Sequence, residues 1–289
     1  MHPILKEVLL DIERLEPFPE VAVRVLELSL QEDLGPREIV EVIQTDAGIT
    51  AKVLKLANSA LQGARTAIAS VEQAGVHLGE KALLSMVMTS ASQSFFMGLG
   101  ASTPRSNHSL WEESVANGVA ARLLARHAGH PDPEVAYTVG LLQNLGLIVL
   151  DRFLARERDE ILGHVDTGMG MLQAERLHLG LSHAQIGARL ARRWKFPSVL
   201  IDAILHHHTP HLAVIDPKLC AVTNLAEGVT WRILGEEGVS ALTYGVSGQT
   251  LRLVKMDQAE LPKIGHEVVA ELQRQRDVIG TAPPKRRAG

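Results

Sequence analysis

The sequence has a single cysteine, Cys220, so one chain can form neither a disulfide framework nor a cysteine-based zinc site, and a reducing compartment fits. Aromatic residues are only 3% of the chain, which leaves few stacking platforms for single-stranded nucleic acid. An excess of positive charge is also missing. The net charge is -4 and the isoelectric point is near 6.4, which argues against a general nucleic-acid binder. No basic stretch followed by an apolar run opens the chain, and no uninterrupted apolar run reaches the length of a membrane span. These absences make the cytoplasm the expected compartment, with no membrane insertion.

What is abundant is aliphatic. Hydrophobic residues make up 46% of 289 residues, carried largely by Ala and Leu, both strong helix formers. Apolar positions recur at helical spacing, as in Val8, Leu9, Ile12 and Leu15. Further helices are expected from Val21 to Leu28, from Gly35-Pro36 to Ile43, from Ile49 to Ala60, and after the capping-box pattern Ser70-Val71-Glu72-Gln73. Gly79 stops that one, and a long helix follows from Glu80 to Phe96. The segment Gly98 to His108 lacks apolar periodicity and is rich in Gly, Ser and Pro, so it is read as a boundary between two lobes. Beyond it, helices are expected over 110–129, 134–154, 169–179, 182–194, 198–207, 219–234 and 265–278. The pieces LTYG and TLRLV within 235–254 are read as short extended stretches, and the tail TAPPKRRAG as disordered.

Several segments in order resemble the HDOD family, bacterial signalling domains related to HD phosphohydrolases. Asp46-Ala47-Gly48-Ile49-Thr50-Ala51-Lys52-Val53-Leu54-Lys55-Leu56-Ala57-Asn58-Ser59-Ala60 matches that family's signature almost residue for residue, and Ile68-Ala69-Ser70-Val71-Glu72-Gln73-Ala74 follows at the expected distance. Leu110-Trp111 resembles the start of the HD-like region, and Gly140-Leu141-Leu142-Gln143-Asn144-Leu145-Gly146 stands where HD enzymes carry Gly-Leu-Leu-His-Asp-Ile-Gly. Ser182-His183, Arg193-Trp194-Lys195-Phe196-Pro197 and His206-His207-His208-Thr209-Pro210 complete the match, which runs over roughly residues 15 to 235.

The resemblance implies an all-α fold of two lobes. An N-terminal helical bundle would occupy 1–100 and an HD-phosphohydrolase-like lobe 101–235, followed by an extension over 236–280 and the tail 281–289. It also implies a set of degenerate metal-site positions. HD enzymes use imidazole and carboxylate ligands to hold a metal that activates water for attack on phosphorus. Here the central His-Asp pair is Gln143-Asn144, two neutral amides. Glu113 stands at the first histidine and Glu227 at a late aspartate, while His183, His207 and His208 remain. The preferred reading is that phosphohydrolase chemistry is lost and no cofactor is held. A residual divalent metal on those histidines is the less favoured alternative, set against His183 capping a helix and the histidine run ending one.

The implied function is a non-enzymatic, stand-alone module that binds signalling proteins such as histidine kinases, response regulators or proteins of cyclic-di-GMP signalling. The alternatives are an unconventional metal-dependent phosphohydrolase on Glu113, His183, His207, His208 and Glu227, or a cyclic-nucleotide-binding regulator. The candidate partner surface is the junction of the lobes, near Asn58, Ser59, His206 and His207. Asn58 is more simply read as a helix end, and the Arg189, Arg192 and Arg193 cluster as a solvated face.

Overall fold

A computed structural model of the chain describes residues 3–31, 36–60, 67–98, 107–234 and 247–279. Among them there is no strand, only helices. The first lobe is built from α1 (Pro3–Arg14), α2 (Glu20–Ser29), α3 (Pro36–Gln44), α4 (Ala47–Ala60), α5 (Val71–Leu78) and α6 (Glu80–Gly98). The second contains α7 (Asn107–His127), α8 (Pro133–Leu142), α9 (Leu145–Asp166), α10 (Met171–Leu179), α11 (His183–Arg193), α12 (Ser198–His206) and α13 (Pro217–Leu234). Two further helices follow, α14 (Gly248–Val254) and α15 (Leu261–Ile279).

Local chemistry sets many of these ends. Ser70 accepts a hydrogen bond from the Gln73 amide and starts α5, and Gly79, at φ 83°, ends it in a conformation open to glycine. Ser182 and Gln185 form a reciprocal capping box at the start of α11. The apolar register read from the sequence becomes the core: Val8, Ile12, Val25, Leu26, Ile39, Ile43 and Val53 are all buried. Each such side chain contributes about 1.5–3 kcal/mol relative to exposure.

The lobes are tied together in several places, among them the packing of α6 on α7 and α8. Helix α1 packs on α9 and α10 of the second lobe, and Arg193 donates to the carbonyls of Leu15 and Glu13 at 2.7 and 2.9 Å, covering the open end of α1. Phe18 from the Pro17-Phe18-Pro19 turn packs with Phe95, Trp194 and Phe196. Helix α15 lies against α4 of the first lobe and against α7 and α13 of the second. Of the basic cluster, Arg193 is thus a structural clamp, while Arg189 and Arg192 are exposed.

Three sequence expectations are corrected. The helix expected over 134–154 is two helices, broken at Gln143-Asn144, where Asn144 leaves helical geometry at φ -95°, ψ 18°. The second of these, α9, runs on to Asp166, well past the expected end at Leu154. TLRLV is helical rather than extended: Ser247 caps α14 by accepting from Thr250, and Val254 is buried. The boundary segment 99–106, LTYG and the tail lie outside the described residues. One 18-residue stretch, Pro133–Leu150, is apolar enough to span a membrane by length and composition, but 83% of it is buried inside the protein and the α8–α9 break divides it.

Candidate functional site

Three helices and two turns bring the predicted positions together. Glu113 comes from α7 and Glu227 from α13, two helices in extensive contact. Gln143 and Asn144 form the α8–α9 break, His183 is the first residue of α11, and His207 and His208 follow the end of α12. The cluster is sealed. Glu113 and Asn144 are 5% exposed, Glu227 2%, His183 1%, and Gln143 and His207 0%. The His208 side chain is 4% exposed. The expected hollow is therefore a buried polar core.

The carboxylate half is organised by one amide. Asn144 Nδ2 donates to Glu113 Oε1 at 3.0 Å and to Glu227 Oε1 at 3.3 Å. An aspartate at this position would offer oxygen to a cation. The asparagine instead presents N–H to both carboxylates, so a neutral donor stands where positive charge would be needed. Burial, with Glu113 adding to it, pushes the Glu227 carboxyl up to about 7 against the pull of His183. Both side-chain polar atoms of Gln143 are buried without a protein hydrogen-bond partner.

The imidazole half is oriented from behind. Glu175 on α10 accepts from His183 Nδ1 at 2.9 Å, and its Oε2 also accepts the His183 backbone N–H at 2.9 Å. His207 Nδ1 donates to the Ile204 carbonyl at 2.7 Å. Both rings therefore turn Nε2 inward. His183 Nε2 lies 3.3 Å from His207 Nε2 and 2.9 Å from His208 Nε2. His208 Nδ1 is 3.4 Å from Glu227 Oε2, which joins the two halves. Burial opposes charge on His183, but the Glu175 carboxylate outweighs it and raises the pKa. Burial, then His183, pushes His207 down to about 3; burial, then His207 and His183, holds His208 well below the ordinary imidazole range.

A backbone contact fixes this arrangement. A Cβ on Gly146 would stand 1.9 Å from the His183 carbonyl oxygen, so only glycine lets the start of α9 pack onto the start of α11. Sequence reasoning missed Glu175. Its signal is an acid in the apolar register Met171, Glu175, Leu179 of α10, and it is 1% exposed.

The proposed partner-binding positions are not equivalent. Asn58 donates to the Leu54 and Ile68 carbonyls at 2.9 Å each and accepts the Ile68 N–H at 2.8 Å, so its amide is committed to holding residue 68. His207 is wholly buried. His206 keeps a side chain 19% exposed, and the Ser59 side chain lies outside the described residues. Nor is His183 the cap of α11, since Ser182 fills that role.

The model of the HDOD domain matches residues 15–210. This chain belongs to the HDOD family. A relative from Treponema pallidum (strain Nichols), an uncharacterized protein, is 27% identical over 216 residues, which is 69% of this chain and 39% of that protein. The chain thus spans about two fifths of the length of the curated relative it matches. An HDOD domain protein of unknown function from Geobacter sulfurreducens aligns over 96% of this chain and 95% of its own, with 24% identity and a TM-score of 0.70. A protein from Shewanella amazonensis SB2B named as a candidate phosphohydrolase aligns over 94% and 96%, at 24% identity and a TM-score of 0.67. One from Marinobacter aquaeolei VT8 named as a candidate signal transduction protein covers 95% of this HDOD chain and 64% of its own, at 22% identity and a TM-score of 0.66. At these identities the three structures share the fold with this chain.

Proposed function

We propose that this HDOD chain is a non-catalytic signalling module that acts in the cytoplasm by binding other proteins. The observation that carries the reading is the Asn144 amide donating to Glu113 and Glu227 inside a sealed cluster. Two features argue against hydrolysis. The pair that would bridge metal ions offers N–H and neutral oxygen, and a phosphate ester would need the core to open before it met any donor. Partners of the expected kind are histidine kinases, response regulators or cyclic-di-GMP pathway proteins, and the signal-transduction name of one structural neighbour accords with that class. His206, at the edge of the cluster, is the position best placed for direct partner contact.

The competing reading, a metal-dependent phosphohydrolase, has the three converging imidazoles in its favour. The two are separated by assaying phosphodiester and phosphomonoester hydrolysis with Mg²⁺, Mn²⁺, Fe²⁺, Co²⁺ and Zn²⁺ supplied in turn. We expect no turnover above the protein-free rate. Metal-dependent turnover that vanishes in the His207→Ala, His208→Ala double variant would establish the enzyme instead.

A further inference from the structure

Away from the buried cluster, a second group of imidazole and carboxyl side chains lies where the chain turns back from α9 into α10. Glu157 and Glu160 stand three residues apart on α9, so both project from one face of that helix. The turn from Thr167 to Gly170 reverses the chain, and α10 packs against α9. His178, in the last turn of α10, brings its Nδ1 to 3.7 Å from Glu157 Oε2 and 3.5 Å from Glu160 Oε2. Both distances are long for an N–H···O hydrogen bond, which spans about 2.7–3.2 Å. They come close to a different geometry: two ligand atoms each about 2.0–2.2 Å from a tetrahedral zinc ion stand about 3.3–3.6 Å apart. The imidazole nitrogen and the two carboxylate oxygens all lie within 4.8 Å of one another.

Exposure is graded across the group. The His178 side chain is 12% exposed, that of Glu157 26% and that of Glu160 73%. The protein thus holds the imidazole, while the Glu160 side leaves a path for an ion from water. The His164 ring, one turn beyond Glu160 on α9, packs on the His178 ring with centroids 5.1 Å apart and restrains it. His178 Nε2 is buried with no protein hydrogen-bond partner. A ligating histidine ordinarily donates its second ring N–H to a supporting acceptor, and loss of such support costs about 10–100-fold in affinity. The group is therefore suited to exchanging an ion rather than keeping one permanently.

We propose that Glu157, Glu160 and His178 form an exchangeable zinc site that staples α10 to α9. One imidazole and two carboxylates suit Zn²⁺, with water as the fourth ligand, whereas Mg²⁺ favours oxygen donors in octahedral array. The staple acts on a helix pair with two further duties. Helix α10 carries Glu175, which accepts from His183, and α1 of the first lobe packs on both α9 and α10. Occupancy of this surface site therefore stiffens the support of the buried cluster and the seam between the lobes. None of the three ligands belongs to that cluster, so the site stands apart from any hydrolytic role.

The test uses the full chain without a polyhistidine tag, stripped with chelator and dialysed against ZnCl₂ or MgCl₂. Elemental analysis should find one Zn²⁺ more per chain in the wild type than in His178→Ala, and no such difference with Mg²⁺. Any ion taken up elsewhere is common to both proteins and cancels. His211→Ala, which removes an exposed imidazole, should match the wild type. Glu160→Gln alters a mostly exposed side chain, leaves the fold intact and decides the matter if His178→Ala fails to fold. It should weaken Zn²⁺ by at least about tenfold. It should also reduce the rise in melting temperature that Zn²⁺ gives the wild type. Equal Zn²⁺ uptake by the wild type and His178→Ala, unchanged affinity in Glu160→Gln, or the same difference with Mg²⁺ would each overturn the proposal. None of these readouts depends on phosphate release, so the proposal and the non-catalytic reading can fail separately.

Discussion

Asn144 Nδ2 lies 3.0 Å from Glu113 Oε1, a hydrogen bond between the break in the α8–α9 stretch and the middle of α7. The contact makes Asn144 part of the packing between α7 and the α8–α9 break. The amide lets two glutamates share a sealed space, and it does so only as a donor. The sign of this interaction can be reversed by a single atom.

Asn144→Asp should therefore destabilise the protein by about 3–5 kcal/mol, the usual cost of an uncompensated buried charge. Chemical denaturation at pH 8 in chelator measures it. Adding Glu113→Gln should recover part of the loss, since the amide then faces the new carboxylate. At pH 5 the cost should shrink, because Glu227, pushed up to about 7 by burial, takes a proton first. Wild-type stability for Asn144→Asp at pH 8 would contradict this account of the pair.

Gly146→Ala should cost about 3 kcal/mol or more, because the new Cβ would stand 1.9 Å from a backbone oxygen that cannot rotate away. Helix propensity alone gives the opposite sign, a gain of about 1 kcal/mol. Gly187→Ala is the internal comparison. Its Cβ would meet the Ile204 side chain at 3.0 Å, which can give, so its cost should be smaller. Equal denaturation midpoints for the two variants would show that close backbone approach is not what the first glycine serves.

Asn58→Ala should lower stability by about 1–3 kcal/mol, since the Ile68 N–H and C=O lose their partner together. Thermal melts beside a binding assay with a captured partner separate structure from recognition. Unchanged melting with lost binding would return Asn58 to the partner surface.

Asp216 caps α13 by accepting the Leu219 N–H at 2.8 Å and lies 2.9 Å from His130 Nε2. Burial raises its pKa, but the His130 hydrogen bond and the backbone bonds outweigh it and leave the pKa lowered. A lowered folded pKa contributes stability that is present above the unfolded value, about 3.9, and is lost as pH falls through the folded one. The stability gap between wild type and Asp216→Asn should hold constant above pH 5 and close below about pH 4. A gap that widens in acid would reverse the assignment.

Much of this was legible in the chain itself. Helical class follows from apolar residues at a spacing of three and four, which only a helix gathers on one face, and Ser70, Gly79 and Ser182 mark ends whose caps need only neighbouring residues. Residues that the structure gathers into one cluster, among them Glu113, Asn144, His183, His207, His208 and Glu227, could also be named, because the order of motifs is written in the chain. What the sequence hid is long-range. Nothing local announces that the 133–150 stretch breaks at Asn144, since the break is imposed by Gly146 meeting His183 and by an amide reaching Glu113 and Glu227.

Residue types and their helical register were therefore decided by the sequence alone: an all-α chain of two lobes with the amides Gln143 and Asn144 side by side. Only the tertiary structure decided that the pair is sealed rather than open, that Glu175 stands behind His183, and that three imidazoles turn their Nε2 atoms to one point. The reason is physical. Burial and side-chain direction depend on which helices close over a residue, and those helices come from positions 31 to 114 residues apart, as Glu113, Asn144 and Glu227 do.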